Sequence, residues 1–341
     1  MVTRCVHYHG TLRTYPGNQL SWFVNESEQA VFELNVHVGY PKAATVSLQE
    51  HVFPRFPGYV GKSYDDDRRA ARFEGANSRL LAEHLKGELC THTVQGWIRG
   101  LGVSNQEVVL YSEERLSQWP SANSQHSWPF FDAWNPGDRS RPHPVVDLLA
   151  TIRAQEGCNV RAIVTLRNQS DLMTSLYAEH HRHVKKIVRP SQHDFERKVN
   201  IQISSADRFF DFSSLIADLD AALGRDQVLI LLFEDGLDAN AAKIASQLRH
   251  RGSLDVSRVR RENVRRSGAK SWQGSRREPA SQRGVVSRAR NSLAQRHTPS
   301  GVATVEITMP EVLRGRIRDH YRDSNDLLAD RLGRNLNALG Y

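Results

Sequence analysis

Four short apolar runs, rich in β-branched residues, punctuate this chain: Leu34–Val38, Glu107–Tyr111, Val160–Leu166 and Val228–Phe233. Runs of that length and composition predict buried strands. Between and after them, apolar residues recur at helical spacing over Thr45–Phe53, Asn77–Lys86, Val145–Ala154, Asp171–His183, Phe212–Leu223 and Ala239–Arg249. Strands that alternate with helices predict a parallel sheet covered on both faces, a three-layer α/β/α architecture. Near the end, Leu313, Ile317 and Tyr321 stand four apart, as do Leu328, Leu332 and Leu336. That stripe predicts one long amphipathic helix packed on the core. No internal repeat is present.

The remaining stretches break the pattern. Residues 1–32 are mixed and read as an N-terminal extension to a single domain spanning 33–341. Residues 117–144 are rich in Trp, Pro, Ser and Asn and predict a long loop of the kind that forms lids or binding surfaces. Residues 251–304 are poor in apolar residues and rich in Arg, Ser and Gly, and are expected to be mobile until something anionic binds. The net charge of +8 comes from this last region: Arg258 to Arg296 holds twelve Lys/Arg and two Glu, a local +10, which leaves −2 for the rest. A composition of 39% hydrophobic and 25% charged residues is that of a globular protein. No apolar run is long enough to cross a membrane, and the first residues lack a secretory apolar stretch. Cys5, Cys90 and Cys158 are far apart and form neither a disulfide framework nor a zinc site, so a cytoplasmic location is expected.

One stretch changes the picture from fold to chemistry. After the first predicted strand come Gly39, Tyr40, Pro41, Lys42, Ala43, Ala44, Thr45, Val46 and Ser47, and then the first helix. A strand, a tight turn with a lysine and a helix N-terminus make a phosphate cradle. Unpaired N–H groups and the positive end of the helix dipole face the anion, and Lys42 adds a full charge. Thr45 and Ser47 supply hydroxyls, and the small Ala43 and Ala44 let the backbone come close. The loop is P-loop-like, yet the G-x-x-x-x-G-K-[ST] signature of nucleoside triphosphatases is absent. That absence speaks against a P-loop kinase, the rival enzyme reading.

A second stretch, VTLRNQSDLMTSLYAEHH at 164–181, also runs off a strand into a helix. Arg167 stands at the strand end, and Ser175 follows about two helical turns later. Together the two stretches resemble the sulfotransferases that use 3′-phosphoadenosine 5′-phosphosulfate (PAPS). Their first loop reads approximately G-x-P-K-[ST]-G-T-[TS], and their second motif approximately R-[ND]-P-x-[DE]-x-x-x-S-x-Y. Gly39, Pro41, Lys42 and Thr45 match the first; Arg167, Asn168, Asp171, Ser175 and Tyr177 match the second at the same spacing. Ala44 replaces the loop Gly, Val46 a hydroxyl residue and Gln169 the Pro. The stretch VLILLFEDGLDANAAKIASQL and the tail HYRDSNDLLADRLGRNLNALGY add weaker likeness, so the resemblance runs from about residue 33 to the end.

The resemblance implies sulfuryl transfer to an acceptor hydroxyl, with a saccharide or glycan favoured as acceptor. Lys42 would neutralise the leaving phosphate oxygen, the amides of residues 42–47 would hold the 5′-phosphosulfate, and Arg167 with Ser175 would bind the 3′-phosphate. No metal is called for. The general base belongs near the end of the strand in EVVLYSEERLS, where Glu114 is favoured, Glu113 is the alternative and His126 a third candidate. Arg265, Arg266 and Trp272 in the basic segment are candidates for closing over the nucleotide. His180 and His183 lie one helical turn apart without an evident third ligand, so a solvated helix end is the expected reading. A nucleic-acid-associated protein is the rival binding reading. It has the basic segment behind it, but only Trp272 is interleaved with the arginines and no recognition motif accompanies them.

Overall fold

A computed structural model describes residues 32–40, 42–56, 58–61, 77–84, 88–101, 108–113, 116, 143–155, 158–183, 191–205, 208–248, 271–273 and 306–341; of residues 179–183, 271–273 and 306 it describes the backbone alone. The expected extension 1–32 apart from Phe32, the Trp-rich loop up to residue 142 and most of the basic segment lie outside the described residues; His143 and Pro144, expected in that loop, instead cap and open a helix.

Five parallel strands form one sheet: β1 (Phe32–Gly39), β2 (Tyr59–Gly61), β3 (Val108–Ser112), β4 (Cys158–Leu166) and β5 (Val228–Leu232), in the order β2-β3-β1-β4-β5. The four expected strands are present; the short edge strand β2 is an addition. β1 is central, and Gly39 pairs with Thr165 while His37 pairs with Ser112. The helices are α1 (Thr45–Ser47), α2 (Thr91–Gly100), α3 (Pro144–Arg153), α4 (Gln169–His183), α5 (Gln192–Ser204), α6 (Phe212–Leu223), α7 (Gly236–Gln247), α8 (Glu311–His320) and α9 (Arg322–Leu332), with a further helical stretch at 77–84. A two-stranded antiparallel ribbon, β6 (Ser271–Gln273) with β7 (Glu306–Thr308), pairs Trp272 with Ile307.

Strand periodicity builds the layers. Leu34, Val36 and Val38 of β1 enter one core with Val145 and Leu149 of α3 and Phe212 and Leu215 of α6. On the other face, Leu110, Ile163 and Leu231 pack against Leu48, Val52 and Phe53 after the first loop and Ile244 of α7. The sheet is thus covered on both sides, which is the expected α/β/α fold.

Two helical expectations are corrected. The helix expected over Thr45–Phe53 is one α turn that widens into a π turn at Leu48–Val52 and tightens to a 3-10 turn at Phe53–Arg55. The widening falls just ahead of Pro54, which lacks an N–H and crowds the preceding turn. The long closing helix is two, α8 and α9, divided at Tyr321. Gly333, at φ 62°, then ends α9: Arg334 N–H reaches back to Ala329 O (3.0 Å), so Leu336 lies beyond the helix although it is buried.

The connection after β1 leads to one edge of the sheet, and that after β4 leads to the other. Such a reversal opens a crevice between the carboxyl ends of the two strands. The two chemistry-bearing stretches leave the sheet there.

Candidate active site

The loop after β1 is anchored before it turns. Tyr40 N–H donates to Thr165 O (3.3 Å), and Ala43 N–H donates to Tyr40 O (3.1 Å). The Tyr40 phenol runs into the core, where its OH donates to Phe209 O (2.8 Å) and its ring meets Phe209 and Phe212 edge-on. Lys42 and Ala44 have positive φ, 67° and 65°, and Ala43 between them does not. Alternating backbone handedness turns successive N–H groups toward one side, a concavity suited to an anion. The left-handed conformation costs a non-glycine residue roughly 1–2 kcal/mol. It also explains why a glycine suits position 44, where this chain has alanine. Gly39 serves a different need: a Cβ there would stand 2.1 Å from Thr45 Oγ1 and 2.9 Å from His37 Cε1. The side chain of Thr45 folds back into that space and donates to Tyr40 O (3.2 Å).

Arg167 comes to this loop from the end of β4. Its Nη1–H donates to Lys42 O (3.0 Å), across 125 residues of sequence, and its guanidinium lies 4.3 Å from the centre of the Phe233 ring. The two stretches therefore meet at one place. Ser175 stands two turns along α4 and is half-buried; Val46 and Ser47 are half-buried beside the loop. Asn168 caps α4, its side-chain oxygen accepting from Asp171 N–H (2.9 Å).

Beneath the loop lies a buried polar chain. Gln49 Nε2–H donates to Ser112 Oγ (3.0 Å); Ser112 Oγ is 2.8 Å from His37 Nδ1; His37 Nε2 is 2.8 Å from Thr165 Oγ1. Since Ser112 accepts from Gln49, its own proton is free for Nδ1, and the ring then donates from Nε2 to Thr165. His37 is fully buried with its ring edge-on to Phe53, and burial pushes its pKa down to about 3. This neutral imidazole ties the ends of β3, β1 and β4 together. His84 is similar: buried, with Nε2–H donating to Leu116 O (3.3 Å) and a pKa lowered to about 4, first by desolvation.

A stability prediction follows from the two histidines. Both prefer the neutral form when folded, whereas an unfolded histidine titrates near 6.5. Their contribution is complete above pH 6.5 and is lost as the pH falls toward 4 and 3. By pH 4 each accounts for a loss on the order of 3 kcal/mol. Melting temperatures measured from pH 7 to 4 are expected to fall steeply, and replacing His37 by Gln should flatten that fall while lowering stability at pH 7.

Of the base candidates, Glu113 is described and Glu114 and His126 lie outside the described residues. Glu113 N–H donates to His37 O (3.4 Å), and its carboxylate accepts from Asn77 Nδ2 (3.4 Å). Asn77 in turn accepts from Tyr111 OH (2.5 Å). The Tyr59 phenol is pushed up by burial and then by the nearby Glu113 charge. Arg265 and Arg266 also lie outside the described residues, and only the backbone of Trp272, His180 and His183 falls within them. Among the described residues no group of three His, Cys, Asp or Glu could hold a metal ion, and no helix is long and apolar enough to cross a membrane.

Comparison with solved structures finds several likenesses, among them a bacterial one. The crystal structure of a sulfotransferase from Alicyclobacillus acidocaldarius superposes with a TM-score of 0.44 at 13% identity, covering 90% of this chain and 98% of that one. No protein-family model matches the chain, and no curated protein does.

His37 was open to a period-two reading. Leu34, Val36 and Val38 alternate with Asn35, His37 and Gly39, so β1 turns polar side chains toward one layer as it nears the loop. Glu234 stands just past an expected strand, but its partners come from 66 and 107 residues away and leave no local trace.

Proposed function

We propose that this protein is a sulfotransferase that moves the sulfuryl group of PAPS to an acceptor hydroxyl, on a saccharide or glycan. The observation that carries the reading is the Arg167 Nη1–H···O Lys42 hydrogen bond (3.0 Å), which joins the two stretches that resemble PAPS-binding motifs. In this reading the amides of residues 42–47 hold the 5′-phosphosulfate, except that of Ala43, whose N–H is taken by Tyr40 O. Arg167 and Ser175 take the 3′-phosphate. Lys42 offsets the charge that grows on the bridging oxygen as the sulfur–oxygen bond breaks, and 3′-phosphoadenosine 5′-phosphate (PAP) leaves. Positioning and electrostatics supply most of the rate, by analogy with phosphoryl transfer. Arg265 and neighbouring arginines of the basic segment would close over the nucleotide or meet an anionic acceptor.

The acceptor oxygen attacks sulfur and gives its proton to a base. Glu114 is proposed for that role. Glu113 is engaged by Asn77 and its amide by His37 O, which suits a residue that fixes the strand end rather than one that faces substrate. Incubation with labelled PAPS and a panel of saccharides tests the function: label should pass to an acceptor and PAP should accumulate. Glu114→Gln should keep nucleotide affinity and lower transfer by roughly a hundredfold to ten-thousandfold. Transfer that survives Glu114→Gln and is lost in Glu113→Gln moves the role by one residue.

A further inference from the structure

The turn that follows Arg167 is gripped from outside its own stretch. One oxygen of Glu234, just past β5, accepts from both Asn168 N–H (2.8 Å) and Asn168 Nδ2–H (2.9 Å). Its other oxygen accepts from Tyr341 OH (3.0 Å). Gln169 Nε2–H donates to Asn325 Oδ1 of α9 (2.8 Å), and Arg314 of α8 stands 3.6 Å from Asp171. Gly340, at φ 88°, lies against Asn168, so a Cβ there would be 3.8 Å from its side chain. Tyr341 is 2% exposed, with its ring edge-on to Phe212.

Most of these grips come from residues 314–341, and they converge on one turn. Burial pushes the Glu234 carboxyl upward, against the hydrogen bonds from Asn168 and Tyr341. Burial also raises the Tyr341 phenol, with the Glu234 charge adding to it. A half-buried carboxylate held by three donors, two of them on Asn168, fixes the backbone of that residue closely. The neighbouring Phe233 lies under the Arg167 guanidinium. The end of β5 therefore supports both ends of Arg167: Glu234 holds the backbone that follows it, and Phe233 carries its charged head.

We propose that Glu234 and Tyr341 are positioning residues that set Arg167 and the first turn of α4 for the 3′-phosphate of an adenine nucleotide. The proposal rests on the function given above. Neither residue touches the ligand in this account; both act through Asn168 and Arg167. The Gln169–Asn325 amide pair supports the same turn, at the position where the resembling family carries proline.

The test is calorimetric titration of PAP and AMP into wild type, Tyr341→Phe, Glu234→Gln and, as a control, Leu327→Ala, which changes an exposed residue of α9. Tyr341→Phe removes one oxygen and should weaken PAP binding by roughly threefold to tenfold, and Glu234→Gln by about tenfold or more, with AMP unchanged in both. Leu327→Ala should match wild type. A purely structural role would lower the two affinities together, and that result overturns the proposal, as does an unchanged PAP-to-AMP ratio in both variants. If Glu234→Gln does not fold, Tyr341→Phe decides alone. If wild type itself shows no preference for PAP, the function given above fails first and the proposal falls with it.

Discussion

Replacing Lys42 by Ala should cut turnover of PAPS on the order of a hundredfold or more, with little change in melting temperature. The substitution removes the charge and leaves the backbone as it is. Lys42 has φ 67°, and alanine bears about the same left-handed penalty as lysine, so the loop keeps its shape. The Lys42 carbonyl, which accepts from Arg167, is untouched by the substitution. What would be lost, in the proposed reaction, is the ammonium that offsets charge developing on the bridging oxygen, and groups of that kind contribute about 2.7–4 kcal/mol to the transition state. Initial rates of PAP release at saturating donor measure it, together with a thermal melt. Near-normal turnover would remove Lys42 from the mechanism.

Arg167→Ala should abolish most of the preference for a 3′-phosphate. The guanidinium is held at 3.0 Å from Lys42 O and lies over Phe233, so its direction is set before any ligand arrives. A planar fork can bond a phosphate through two N–H groups, and a charged hydrogen bond is worth roughly 1.5–3 kcal/mol. PAP affinity should therefore fall about tenfold to a hundredfold, and AMP affinity much less. Arg167→Lys should not restore it, because an ammonium on a flexible stem cannot reproduce the fork. A variant that still prefers PAP by the wild-type ratio would move the 3′-phosphate elsewhere.

Much of this arrangement was legible in the chain. The strands declared themselves because a parallel sheet buried on both faces demands short, continuous apolar runs. The Lys42 loop and Arg167 were legible because each follows such a run and opens a helix. Other features were hidden by physics that local pattern does not carry. α2 places Val94, Trp97 and Ile98 at helical spacing, but Gly96 and Gly100 interrupt so short a run. α5 was missing from the expected elements although Phe195, Val199 and Ile203 stand four apart, because polar residues crowd the stretch around them. The break at Tyr321 has no Gly or Pro beneath it; Tyr321 is buried with its ring near Phe210 (6.5 Å), a tertiary contact. The polar framework of the site was the least legible part. His37, Glu234, Asn325 and Tyr341 find their partners 75 to 156 residues away, apart from the 66-residue reach of Glu234 to Asn168.

The nucleotide that the wild-type protein selects is the most direct test of sulfuryl transfer from PAPS. Calorimetric titration with PAP, AMP and ATP measures that without an acceptor. A site whose buried donors are arranged for a 3′-phosphate leaves them unpaired when that group is missing. PAP should therefore bind at least tenfold more tightly than AMP, and more tightly than ATP. Equal binding of PAP and AMP, or a preference for ATP, would contradict the sulfotransferase reading and favour a kinase-like site.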